Sequence, residues 1–135
     1  MIDHIGLTVS DLPRAQAFSA AARAPLGYRL LAEFPAEVSG SGAVGGFGVA
    51  PKPDLWLAAG TPNRAPVPVA LRMPARELLQ ACQAAALRAR GRDHGAPGPR
   101  PHYHAHYYGA CLLDPDAHNL EVVCHEPVPA APGRP

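Results

Sequence analysis

The chain has 135 residues, 47% of them hydrophobic and 17% charged, which is enough for one packed core and excludes a disordered chain. A formal net charge of +1, with Lys52 as the only lysine and no basic run, leaves no electrostatic footprint for nucleic acid or an anionic membrane. Residues 1–13, MIDHIGLTVSDLP, lack the charged region, apolar core and cleavage site of a signal peptide, and no apolar stretch is long enough to span a bilayer. Cys82, Cys111 and Cys124 are odd in number and set among apolar residues, so reduced core thiols in a cytoplasmic protein are expected.

Ile2 to Val9 alternates, with Ile5, Leu7 and Val9 on one face and His4, Gly6 and Thr8 on the other. This is the pattern of a half-buried strand with a histidine on its second face. Ser10 or Asp11 can cap the helix that follows, in which Leu12, Ala15, Phe18 and Ala22 recur at helical spacing before Pro25 and Gly27 stop it. Tyr28 to Phe34 reads as a strand. The glycines between Gly40 and Gly48 lack the Gly-Lys-Ser/Thr of a phosphate loop and open no helix, so they read as a turn into a strand over 44–50. Leu55 to Ala59, containing Trp56, is a short strand.

The second half repeats the plan, with a strand over Val67 to Met73, a helix from Ala75 to Arg90 and a stop at Gly91. Gly95 to Pro101 reads as loop. Two strands follow, Tyr107 to Leu113 and Leu120 to Cys124, joined by turn chemistry from Asp114 to Asn119. Glu121 is a carboxylate among Leu120, Val122 and Val123, and alternation gives it a face with Asn119, Val123 and His125. It either meets water at a rim or edge, or points into a cavity with a partner. The two halves superpose at one constant offset, His4-Ile5-Gly6-Leu7 on Pro68-Val69-Ala70-Leu71, Phe18 on Cys82 and Gly27 on Gly91. The expectation is α+β: two βαβββ modules, 1–60 and 66–125, each too small to be stable alone, that pack together or exchange between chains, with a Pro-rich tail over 126–135. Leu12, Phe18, Leu71, Leu79 and Leu87 are its expected buried residues.

The pairing of DHIGLTVSDL near the start with DPDAHNLEVV near the end, around this duplication, resembles the vicinal oxygen chelate superfamily. That superfamily includes glyoxalase I, extradiol dioxygenases, and fosfomycin- and bleomycin-resistance proteins, and the small glyoxalase-like proteins of bacteria resemble this chain most. The resemblance implies that the modules form curved, mostly antiparallel sheets around a cleft whose metal ligands come from the first and last strands of the modules. It places His4 on the first-strand histidine and Glu121 on the last-strand glutamate, as metal ligand or proton shuttle. The other two ligand positions fall on Pro68 and on Leu57 or Trp56, none of which binds a metal. Ala117 stands where the turn usually carries glycine.

His102, His104 and His106 alternate and would share one face of a strand, so His102 and His104 are candidates to complete the site. The alternative is an exposed, proline-flanked loop. Trp56, Tyr107 and Tyr108 are candidates for the walls of a substrate cleft. The resemblance implies a divalent-metal-dependent lyase (lactoylglutathione lyase-like), isomerase or dioxygenase acting on a small molecule with vicinal oxygens, with zinc, nickel, iron or manganese. The alternative is a metal-free small-molecule-binding protein of the bleomycin-resistance kind. Uncovered strand edges point to a homodimer, with the modules paired within one chain or exchanged between two, and His4 and Glu121 are expected to share a cavity, either within a chain or across the dimer.

Overall fold

In the computed structural model, which describes residues 1–128, strand β1 (Ile5–Val9) delivers the chain into helix α1 (Leu12–Arg23). Asp11 is the cap: its Oδ1 accepts from the Arg14 N–H at 3.0 Å, and Pro13 sits in the first turn where no donor is missed. Ser10 is left free for another task, described below. A short 3₁₀ turn over Ala24–Leu26 ends on Gly27, whose φ of 76° is the left-handed conformation that favours glycine. There follow β2 (Arg29–Phe34), a one-turn helix α2 (Ala36–Ser39), β3 (Val44–Gly48) and β4 (Leu55–Ala59). Gly46 is glycine for a packing reason, since a Cβ there would lie 2.8 Å from the Trp56 ring.

The second module has β5 (Pro68–Met73), α3 (Arg76–Arg88), β6 (Arg92–Pro99), β7 (Tyr108–Leu113) and β8 (Asn119–Cys124). Its elements follow the first at the expected offset: Ile5 onto Val69, Leu12 onto Arg76, Val44 onto Tyr108, Leu55 onto Asn119. The sheets are mixed, ordered β1-β4-β3-β2 and β5-β8-β7-β6, with β1–β4 and β5–β8 parallel and the other pairs antiparallel. This is the expected two-module α+β fold.

Gly95 to Pro101 departs from its expectation as a loop, because β6 runs to Pro99. Pro97 and Pro99 are tolerated there because β6 is the outer strand, with one side not in the ladder, and its register slips at Asp93/Gly95 and Gly95/Gly98. The histidine run is the reverse case: residues 101–107 are turns, so His102, His104 and His106 share no strand face. Leu87 is also corrected, at 39% exposed. The buried stripe of α3 is Leu79, Cys82, Ala85 and Ala86, and Leu87 lies one step round the helix from Ala86. Phe18 and Leu79 are buried as expected, while Leu12 and Leu71 are half-buried.

Each module buries its own cluster, Leu7, Val9, Phe47, Leu55 and Leu57 in one, Met73, Leu79, Cys82, Val122 and Cys124 in the other. A third cluster joins them, with Phe18 and Ala22 of α1 against Ala86 of α3, Leu112 and Leu120. The two modules therefore pack on each other within one chain. All three cysteines are free thiols, Cys82 and Cys124 buried. No helix among the described residues is long and apolar enough to cross a membrane. The tail from residue 129 lies outside the described residues.

Candidate functional site

The seam between the modules is closed at one end by polar contacts. His118 is 2% exposed; its Nδ1 accepts from the Val67 N–H at 3.1 Å, so its Nε2 carries the proton and donates to the Thr8 carbonyl at 3.2 Å. Ser10 donates to Asp116 from its amide at 3.1 Å and also from its hydroxyl. The turn at 114–118 is thus fastened to the end of β1, and Asp114 shapes it by accepting from the amides of Asp116 and His118. Burial nevertheless raises the Asp114 carboxyl above its ordinary value.

At the other end β1 and β5 leave a cavity of about 610 Å³, within the range of small-molecule sites. Ile5, Leu7, Leu55, Val67, Val69 and Leu71 give it apolar walls, and Asp3, His4 and Asp54 form its exposed rim. His4 donates from Nδ1 to Asp3 Oδ2 at 2.8 Å; this bond and the Lys52 ammonium hold the Asp3 carboxyl below its usual range. Deeper in, Arg23 reaches the cavity from the end of α1, and Tyr28 donates to Asp54 Oδ2 at 2.8 Å. Burial, and then the Asp54 bond, push the Tyr28 hydroxyl up to about 12.

Glu121 does not line this cavity; it pairs with Ala70, one strand further on. It accepts from the Tyr107 hydroxyl at 2.7 Å, and desolvation together with this carboxylate pushes Tyr107 up to about 12. The same causes raise the thiol of Cys111, opposite Glu121 on β7. His104 and His125 lie nearby: the His106 N–H donates to His104 Nδ1 at 3.1 Å, and His104 Nε2 meets His125 Nδ1 at 2.6 Å. Both nitrogens of His104 are therefore engaged. The His102 ring lies tilted against Tyr103, with ring centroids 4.3 Å apart and planes at 49°. Tyr108 faces the other way from Tyr107, as alternation requires, lying under Arg76 and bonded by Gln80 on the helix side. Trp56 stacks on Phe34 at 6.0 Å.

The metal-ligand positions do not converge. Among the described residues no three His, Cys, Asp or Glu side chains are grouped to hold an ion. His4 bonds Asp3, Glu121 bonds Tyr107, His104 bonds His125, and Pro68 and Leu57 or Trp56 have no donor to offer. The residues present do not fit a resident divalent metal. Arg23, Tyr28 and Asp54 were not evident as site residues in sequence. One signal was available: Arg23 continues the buried helical stripe of Ala15, Ser19 and Ala22, an odd place for a cation.

The two modules and their seam have the glyoxalase/bleomycin resistance/dioxygenase fold. Similar solved structures include a glyoxalase/bleomycin resistance protein from Albidiferax ferrireducens (TM-score 0.68, 20% identity, covering 92% of this chain and 98% of that one). Glyoxalase I from Zea mays is similar over 90% of this chain and 45% of its own (TM-score 0.69, 24% identity). So is a mutant of the fosfomycin resistance protein FosX from Listeria monocytogenes, complexed with Mn(II) and a dihydroxypropylphosphonic acid (TM-score 0.67, 17% identity, 91% and 88% covered). No family model and no curated protein matches the sequence.

Proposed function

We infer that this chain binds a small, largely apolar organic molecule in the cavity between β1 and β5 and does so without a resident metal ion. The observation that carries this reading is the cavity itself, about 610 Å³ with aliphatic walls, at the junction where the resemblance places the ligand-bearing strands. A preformed concave site of that size with few polar groups is the ordinary form of a small-molecule site. The absence of a converging donor set among the described residues favours binding over metal-assisted chemistry.

Filling the cavity tests this. Ile5 and Val69 are half-buried residues of the apolar wall, one on each strand, so Ile5→Phe and Val69→Phe add bulk on the cavity side. Both variants should fold as the parent does and lose calorimetric binding of a neutral probe such as 4-phenylbutanamide. Undiminished binding in both variants would remove the cavity from the account.

A second reading, a metal-dependent lyase, isomerase or dioxygenase, draws on His4 and Glu121 at the resemblance's ligand positions. It requires His4 and Glu121 to leave their present partners and further donors to join them.

A further inference from the structure

Arg23 is 4% exposed, and its guanidinium carries five N–H donors. Among the described residues it makes one hydrogen bond, from Nη1 to Ser19 Oγ at 3.0 Å, while buried Nε has no partner and no carboxylate forms an ion pair with it. The nearby acids are engaged elsewhere, Asp54 by the Tyr28 hydroxyl and Asp114 by two backbone amides. Burial lowers the Arg23 pKa to about 10, with Asp114 opposing it, so the group remains a cation at neutral pH. A buried cation with idle donors is costly unless something pairs with it. It also borders the cavity between β1 and β5.

We propose that the seam cavity takes a small organic monocarboxylate, with its carboxylate held by Arg23 and its apolar body against Ile5, Leu55, Val69 and Leu71. This rests on the cavity reading above and adds the charge of the ligand. A guanidinium fork matches a carboxylate in shape and charge. Asp3 on the rim is paired with Lys52, which leaves Asp54 as the acid that repels a second negative charge, so dianions such as phosphate monoesters are disfavoured. The aliphatic walls disfavour a ligand that is polar throughout.

The test is calorimetric titration of the full chain with 4-phenylbutyrate, its neutral amide and phenyl phosphate, using the parent, Arg23→Met and Arg23→Lys. The parent should bind the carboxylate more tightly than the amide and bind phenyl phosphate worst. Arg23→Met should weaken the carboxylate roughly 10- to 100-fold, the size of a charge-assisted contact, and leave the amide unchanged. Its unfolding midpoint should match or exceed that of the parent, because an unpaired buried charge is removed. If Arg23→Met fails to fold, Arg23 has a structural role that overturns the anchor unless Arg23→Lys, which keeps charge and loses the fork, selectively weakens the carboxylate. Equal affinity of the parent for acid and amide would overturn the anchor and leave the cavity reading standing. No binding of either would overturn both.

Discussion

Ala117 has φ of 67°, a left-handed conformation that costs a residue with a Cβ about 1–2 kcal/mol. Glycine adopts it freely at some expense in chain entropy, so Ala117→Gly should stabilise the protein by about 0.5–1 kcal/mol in urea unfolding. A loss of stability would show that the Ala117 methyl contributes packing that outweighs the strain. The tyrosines allow a pH test. Tyr28 and Tyr107 hold their protons to about 12 in the folded protein, both through desolvation first and a carboxylate second. An unfolded tyrosine loses its proton near about 10, so between about pH 10 and 12 the unfolded state is increasingly favoured and stability should fall. Absorbance titration should show a late phase near pH 12 that shrinks in Tyr28→Phe and in Tyr107→Phe; its persistence in both would contradict these environments. At this scale the sequence was only partly legible. The turn strain at Ala117 could be read only against the resemblance, which puts glycine there, whereas the engagement of His104 by His106 and His125 depends on a turn that no alternation pattern describes.

The elements show why strands with glycine and proline are hard to read. β6 carries Gly95, Pro97, Gly98 and Pro99, every one a strand breaker by composition, and is a strand because it occupies the outer edge of its sheet. The duplication held the clue, since Arg29–Phe34 of β2 falls on Asp93–Gly98 at the offset that aligns the other strands and the two long helices. β2 is the corresponding outer edge of the first sheet, and it exposes Leu30 at 36% and Phe34 at 42% beside Val38 at 67%. An open edge with exposed apolar side chains is a site for pairing with another chain. We therefore expect a homodimer formed through this edge. Light scattering at micromolar concentration should give about twice the 14.1 kDa of one chain, falling in Phe34→Lys. A mass of one chain in the parent would rule it out.

For the whole molecule, the internal repeat carried the fold into view. Alternation of Ile5, Leu7 and Val9, the helix stops and the constant offset survive because they reflect burial periodicities that the tertiary structure obeys. What the modules do to each other was not legible. The union of Phe18 with Ala86 and Leu120, the fastening of His118 to Thr8 and the cavity that opens beside β5 all arise from contacts far apart in sequence. Within one chain His4 lies on the rim and Glu121 a strand away, bonded to Tyr107, so a cavity shared by the two would have to form across a dimer. The proposed pocket works without a resident metal ion, on a fold similar to that of FosX, whose mutant structure is complexed with Mn(II). The most direct test is divalent-metal affinity, measured by calorimetry with zinc and manganese on tag-free parent, His4→Ala and Glu121→Ala proteins. Equal and negligible binding in all three is the predicted result, and tight stoichiometric binding by the parent that is lost in both variants would contradict it.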